Sequence, residues 1–362
     1  MGAHDFEAPV AALRIIDANA NRASEGLRVV EEFARFNLDD RFLTGLCKQL
    51  RHDLTAALAE LPAYDLTTSR DTARDVGTEI TLQDEKCRRD SRDVAAASQK
   101  RVEQSLRCIE EYAKTFAPHL AAAVEQLRYR AYTLAKAIAT TRHSRERLAA
   151  ARLYVLLDGQ DSEESLERVG CELVQAGVDV IQLRDKQLSD RELIGRARRL
   201  RRVTRSSNTI FIVNDRPDLA ALADADGVHV GQDELSVHDA RAIMGTGKLV
   251  GVSTHSIDQA RQAVLDGANY LGCGPTFPST TKQFAEFPGT AFLQEVAREI
   301  SLPAFAIGGI NLGNVKQVVT AGVVRVAVGA GLVNAEDVSA RVKEFRAALD
   351  RGTHPVNATI TS

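Results

Sequence analysis

The chain has 362 residues, 44% of them hydrophobic and 26% charged, with a formal net charge of −3. This is ordinary globular usage, long enough for one α/β barrel of up to about 250 residues and a smaller second domain. The near-neutral balance excludes a global basic field for nucleic acid or membrane surfaces, and no apolar run approaches the roughly 20 residues that span a bilayer.

The first part of the chain reads as helical. Val10, Leu13, Ile16, Ala20, Ala23, Leu27, Val30 and Phe33 recur at three- and four-residue steps, one apolar stripe on a long helix. Leu43, Leu46, Leu50, Leu54, Ala57, Leu58 and Leu61 make a second stripe, stopped by Pro62. The polar stretch Tyr64 to Asp90 reads as a linker or irregular segment, and two more helices follow, broken near Pro118. An internal repeat runs through this half. Arg22, Leu27, Arg28, Glu31, Glu32, Phe33, Ala34 and Arg35 align at constant offset with Arg101, Leu106, Arg107, Glu110, Glu111, Tyr112, Ala113 and Lys114. Gln49-Leu50-Arg51 similarly matches Gln126-Leu127-Arg128. Because charged positions match as well as apolar ones, residues 1–148 are expected to form an all-α bundle built from a duplicated helical hairpin.

After about Arg152 the rhythm changes. Short apolar runs alternate with amphipathic stretches such as Asp190–Val203 and Ile257–Asp266. The strands expected are Leu153–Leu157, Val180–Leu183, Ile210–Val213, Gly227–Val230, Leu249–Val252, Tyr270–Gly272, Ala304–Ile307 and Val324–Val328. Strand–helix alternation implies parallel pairing, and this many strands in roughly 200 residues imply a closed (β/α)8 TIM barrel over residues 149–350. The competitor, an open doubly wound sheet, wants a G-x-G-x-x-G turn after its first strand. Leu157-Asp158-Gly159-Gln160 does not provide one. The tail, 351–362, is expected to be disordered. The basic run Arg196, Arg198, Arg199, Arg201, Arg202 and Arg205 lacks interleaved aromatics and reads as the solvated outer face of a barrel helix.

In such barrels the chemistry sits where strands end. Strand 2 ends in Gln182-Leu183-Arg184-Asp185-Lys186, and alternation places Gln182, Arg184 and Lys186 on one side. Strand 3 ends in Asn214-Asp215, strand 4 ends in His229-Val230-Gly231-Gln232-Asp233-Glu234, and strand 5 ends in Ser253-Thr254-His255. Strand 6 leads into Gly274 to Lys282, strand 7 into Gly308-Gly309, and strand 8 into Gly329-Ala330-Gly331. Singly, each is a turn, a cap or a surface charge. Seven on one rim point to a site. The small residues Gly308, Gly309, Gly329 and Ala330 leave backbone amides open to a phosphate. Arg184, Lys186 and Lys282 suit a more highly charged anion, and Asp215 with Asp233 or Glu234 suits magnesium bridged to a diphosphate.

Taken in order, Gln182-x-Arg184-x-Lys186, Asn214-Asp215, Asp226 to Gln232, Gly251-Val252-Ser253, Gly274-Pro275 through Lys282 and Ile307 to Ile310 resemble the thiamine phosphate synthase family. The resemblance implies a transferase. It would join hydroxymethylpyrimidine diphosphate to a thiazole phosphate, with one magnesium ion per active site. By that resemblance Gln182, Arg184, Lys186, Asn214, Ser253 and Lys282 bind the pyrimidine diphosphate. Asp215 and Glu234 hold the metal, and Ser279, Thr280, Thr281, Gly309, Gly329 and Ala330 bind the thiazole phosphate. The family often has Asp where this chain has Glu234, so Asp233 is a rival ligand. A thiazole tautomerase, for which His255 could serve as acid–base group, and a sensor of thiazole phosphate are the alternatives. The helical part resembles a domain fused ahead of this synthase and proposed to be an alternative hydroxymethylpyrimidine phosphate kinase. The resembling stretches are Asp17 to Arg28 and Arg70 to Thr78. The latter, with two Arg-Asp groups, is a candidate phosphate loop. A structural role is its alternative. Five cysteines without a C-x-x-C pair and no visible signal peptide imply a cytoplasmic protein. Its partners are small molecules, with homo-oligomerisation left open.

Overall fold

The computed structural model describes residues 10–71, 87–278 and 287–350. The expected tail and the loop carrying Ser279, Thr280, Thr281 and Lys282 lie outside the described residues, as does most of the Arg70 to Thr78 stretch. The chain divides into two compact units, Met1–Ala139 and Thr140–Ser362. The division falls inside a helix, ahead of the 148/149 boundary read from the sequence.

The first unit is helical. The apolar stripe of α1 (Val10–Phe36) is buried at Leu13, Ile16, Ala23, Leu27, Val30 and Phe33. α2 (Arg41–Leu58) is started by Asp40, whose carboxylate accepts from Leu43 N at 2.7 Å. It ends before Leu61 and Pro62. Part of the expected irregular segment is a short helix, α3 (Ala63–Thr68), in which Thr67 and Thr68 hydroxyls bond back to the Ala63 and Tyr64 carbonyls. α4 (Ser91–Ala113) packs closely on α1 at Gly26, where an added Cβ would lie 2.8 Å from Val102 and 3.0 Å from the Ser98 carbonyl. α5 (Pro118–Arg147) opens on the proline that marked the break.

The matched charges make matched contacts. Arg28 pairs with Glu31 and Glu32 as Arg107 pairs with Glu110 and Glu111. Across helices, Arg51 reaches Glu31 at 3.3 Å and Arg128 reaches Glu110 at 2.7 Å.

In the second unit eight parallel strands close in sequence order. They are β1 (Leu153–Leu157), β2 (Val180–Leu183), β3 (Ile210–Asn214), β4 (Gly227–Val230), β5 (Leu249–Thr254), β6 (Tyr270–Cys273), β7 (Ala304–Ile307) and β8 (Val326–Val328). Both faces of each strand are covered, which is why they read as short continuous apolar runs. β5 runs two residues further than expected because Ser253 and Thr254 pair with Gly272 and Cys273. Serines start the helices after several of these strands. Ser189 makes a capping box with Glu192 at α7 (Asp190–Thr204), and Ser256 accepts from Gln259 N at the start of the helix Ile257–Asp266. On α7, Arg199 pairs with Glu163 and Glu167 of α6 (Glu163–Gln175), so this part of the basic run is an ion-paired helix face.

The N-terminal end of the barrel is stoppered from within the same unit. Leu148 and Ala151 join Tyr154, Val180, Ile212, Leu249, Tyr270, Phe305 and Ala327 in one buried cluster at the starts of the strands. Ser144, fully buried near the end of α5, accepts from Asn269 Nδ2 at 3.0 Å, and Asn269 Oδ1 in turn accepts from Val250 N at 2.9 Å.

Candidate active site

At the opposite end the strands open into a cavity of about 670 Å³. Alternation in β2 turns Gln182 into it, the loop that follows brings Arg184 and Lys186 to the same space, and Asn214, Asp215, Ser253 and Glu234 line it from the ends of β3, β5 and β4. Gly309, Gly329 and Ala330 line the side built by β7 and β8. Every described residue expected at the site therefore meets the same space, Asp233 and His255 included.

Asp185, between the two cations, points elsewhere. Its carboxylate accepts from the amides of Gly159, Gln187 and Leu188 and folds the loop that carries Arg184 and Lys186. Arg184 has no carboxylate partner among the described residues, so its charge is open to an anion. Lys186 Nζ lies 3.2 Å from Asp215 Oδ2 and 3.3 Å from Glu234 Oε1. Two carboxylates thus converge on one cation position.

Asp215 adopts φ 61°, a left-handed conformation that aspartate tolerates better than most residues, and its amide donates to the His229 carbonyl at 2.7 Å. Burial pushes the Asp215 carboxyl up, and the nearby charge of Glu234 adds to the rise; Lys186 opposes both without overcoming them. The same contacts raise Lys186, chiefly through Asp215. Of the rival acids, Glu234 is the one drawn inward. A Cβ on Gly231 would sit 2.2 Å from its Oε2, so the glycine makes room for this carboxylate.

The glycines after β7 have a reason besides phosphate. Gly308 and Gly309 have φ of 97° and 62°. A Cβ on Gly309 would lie 2.4 Å from the Pro278 carbonyl oxygen and one on Gly308 2.9 Å from Pro275. Thr276 N donates to Ile307 O at 2.8 Å and Phe277 N to Gly308 O at 3.0 Å. These two glycines seat the 274–278 turn. Among the described residues nothing lies nearer the Cβ position of Gly329 than Leu156 at 3.8 Å, and Gly329 leads into the short helix Ala330–Val333.

Residues 153–332 match the family model described as thiamine monophosphate synthase, and residues 14–137 match the ThiD2 family model. The chain is 45% identical to a thiamine-phosphate synthase of Rhodopirellula baltica, over 94% of this chain and 93% of that protein. It is 43% identical to one from Gloeobacter violaceus, over 94% and 97%. Among solved structures, the thiamine phosphate pyrophosphorylase of Pyrococcus furiosus is similar with TM-score 0.50 and 32% identity, covering 58% of this chain and 99% of that one.

The chain belongs to the thiamine-phosphate synthase family.

In this synthase-family barrel the cavity floor holds Tyr154 and Tyr270, which the strand-end reading passed over, and His229, which it named without a role, all buried. Burial, with Arg184's charge adding to it, pushes the His229 imidazole down to about 4, so the ring is neutral near pH 7. Their sequence signal is a polar-tipped ring inside an otherwise apolar strand, at the same parity as the rim residues. In the bundle, Arg70 is already committed: Nε and Nη2 donate to the two Asp17 oxygens at 2.6 and 2.8 Å. Of the proposed phosphate loop, Arg70 is thus an anchor to α1, while Arg74 and Asp75 lie outside the described residues.

Proposed function

We propose that the barrel makes thiamine phosphate from 4-amino-2-methyl-5-hydroxymethylpyrimidine diphosphate and 4-methyl-5-(2-phosphoethyl)thiazole, releasing diphosphate. The observation that carries this is one cavity with Arg184, which has no carboxylate partner among the described residues, Lys186 and a converging carboxylate pair on the β2–β4 side, and Gly309, Gly329 and Ala330 on the β7–β8 side. The family supplies the substrates and the arrangement supports their placement. Gln182, Arg184, Lys186, Asn214 and Ser253 hold the pyrimidine diphosphate, joined by Lys282. Gly309, Gly329 and Ala330 take the thiazole phosphate, with Ser279, Thr280 and Thr281 of the adjoining loop. Asp215 and Glu234 fit a magnesium ion, which prefers one or two carboxylates with phosphate oxygens and water. When bound, that ion supplies charge to the departing diphosphate.

The chain's own residues do the rest. Arg184 and Lys186 neutralise the leaving group as the bond between methylene carbon and diphosphate oxygen breaks and its electron pair leaves with the diphosphate. The electron-rich aminopyrimidine stabilises the methylene cation, and the thiazole nitrogen's lone pair forms the new C–N bond. No general base is needed. For the bundle, which we take as a duplicated hairpin on the strength of its matched ion pairs, the ThiD2 match supports phosphorylation of hydroxymethylpyrimidine phosphate, the reaction that would supply the diphosphate. A structural role is the alternative. No described helix is long and apolar enough to cross a membrane, and the described cysteines are free. We assign the activity to the cytoplasm.

The test is diphosphate release by the full chain given both substrates, with and without magnesium, beside Arg184→Ala. Magnesium-dependent release that yields thiamine phosphate and falls by at least about a hundredfold in the variant is expected. A folded chain that binds the thiazole phosphate and releases nothing would transfer the reading to a tautomerase or a sensor.

A further inference from the structure

Five side chains beneath the cavity form one hydrogen-bonded line. Gln182 Nε2 donates to Tyr154 Oη at 2.7 Å, and the Tyr154 and Tyr270 hydroxyls meet at 3.0 Å. Tyr270 Oη lies 3.3 Å from His229 Nδ1, and His229 Nε2 lies 2.9 Å from Ser253 Oγ. All but Ser253 are buried. A buried donor or acceptor left without a partner is strongly disfavoured, so the hydrogens along the line must be mutually consistent.

That consistency leaves two arrangements. With Gln182 donating, as found, Tyr154 gives its hydrogen to Tyr270 and Tyr270 gives its own to His229 Nδ1. The imidazole then carries its hydrogen on Nε2 and donates to Ser253 Oγ, which frees the Ser253 hydroxyl hydrogen for the cavity. With the Gln182 amide turned over, every bond reverses, and the Ser253 hydrogen is consumed by Nε2. Mixed arrangements set two donors or two acceptors face to face. A neutral imidazole is required throughout, and burial supplies it.

We propose that Tyr154, Tyr270 and His229 are positioning residues that lock the polarity of Gln182 and Ser253, so that the site offers one acceptor, Gln182 Oε1, and one donor, the Ser253 hydroxyl. Both residues line the cavity, and Gln182 Oε1 has no protein partner among the described residues. The chemistry selected is a heteroaromatic edge with an amine donor and a ring-nitrogen acceptor. An aminopyrimidine has that edge. The corresponding pyrimidinone, with a carbonyl and a ring N–H, inverts both groups and would require the whole line to reverse. The choice of pyrimidine rests on the synthase reading; the locked polarity itself does not.

The test is 15N NMR of the full chain with ring-labelled histidine, at pH 8.5, with the His229 signals identified by their loss in His229→Gln. The wild type is expected to show a neutral imidazole with its hydrogen on Nε2. Gln182→Glu puts an acceptor-only carboxylate at the head of the line and is expected to move the hydrogen to Nδ1. In a Tyr270→Phe background, which cuts the line, Gln182→Glu is expected to leave the tautomer alone. An Nδ1-protonated wild type, or a Gln182→Glu effect that survives Tyr270→Phe, overturns the proposal. If Gln182→Glu does not fold, Tyr270→Phe alone decides. Its preference for aminopyrimidine over pyrimidinone diphosphate in kcat/KM should fall about tenfold, the scale of one net hydrogen bond, and an unchanged preference refutes the lock. A wild type inert toward both diphosphates but showing the Nε2 tautomer would sink the synthase reading and leave the locked polarity standing.

Discussion

Replacing His229 with glutamine should flatten part of the protein's acid sensitivity. In the unfolded chain a histidine takes up a proton below about 6.5. Folded, the His229 ring resists protonation until about 4. Between those values the unfolded state binds more protons, so stability is lost as the pH falls, and it is fully present above the unfolded value. Evaluated at pH 4.5 against pH 7.5, this one ring costs the folded state about 2.5 kcal/mol. Carboxylates that titrate in the same range act alike in wild type and His229→Gln and cancel in the comparison. The assay is urea unfolding followed by near-ultraviolet circular dichroism, in which the buried rings of Tyr154 and Tyr270 report on the barrel with no tryptophan in the chain to obscure them. The wild type should lose about 2.5 kcal/mol more than the variant between the two pH values. Equal losses would refute a neutral, desolvated His229.

Three further outcomes are expected. Gly309→Ala forces a left-handed alanine against the Pro278 and Phe277 carbonyls. It should cost about 1–3 kcal/mol in thermal unfolding and raise KM for the thiazole phosphate; a neutral effect on both would show that the turn yields freely. Arg128→Ala leaves Glu110, 1% exposed, without its interhelical partner and should destabilise the chain by about 3 kcal/mol. Arg51→Ala, removing a side chain 25% exposed, should cost clearly less; equal losses in denaturant unfolding would deny that burial sets the difference. Because Asp215 holds its proton to higher pH than an ordinary aspartate, magnesium affinity measured by calorimetry should weaken as the pH falls, beginning above the usual aspartate range. An affinity flat down to that range would refute the assignment of Asp215 as ligand.

The barrel was legible because a doubly covered parallel strand is apolar along nearly its whole length, as Leu153–Leu157 is, and Val180–Leu183 but for Gln182. The rim was legible through position: Gln182, Arg184 and Lys186 cluster where the strand ends, although β2 stops at Leu183 and the loop folded by Asp185 is what brings the two cations to the site. Other parts were not. Tyr154, His229 and Tyr270 stand out in sequence only as polar-tipped rings in apolar strands; that their tips meet is a contact between distant strands, which appears only when the chain closes. Gly308 and Gly309 suggest a phosphate site in sequence, but their second reason, the turn at Pro275–Pro278 packed against them, lies over thirty residues earlier in the chain and leaves no local sign. The short helix at Ala63–Thr68 escaped because threonines weaken a helical pattern, although their hydroxyls here bond back along it.

The stopper at the base of the barrel bears on how such a chain can be cut and rejoined. Ser144, Leu148 and Ala151 lie before the first strand, where a domain swap guided by strand boundaries would discard them. A chimera joined at residue 149 would exchange two of the barrel's own closing residues for foreign ones, while a junction ahead of Thr140 would carry the closure along with the barrel. The transferable module is therefore longer than the catalytic fold it contains, and its natural seam lies inside a helix.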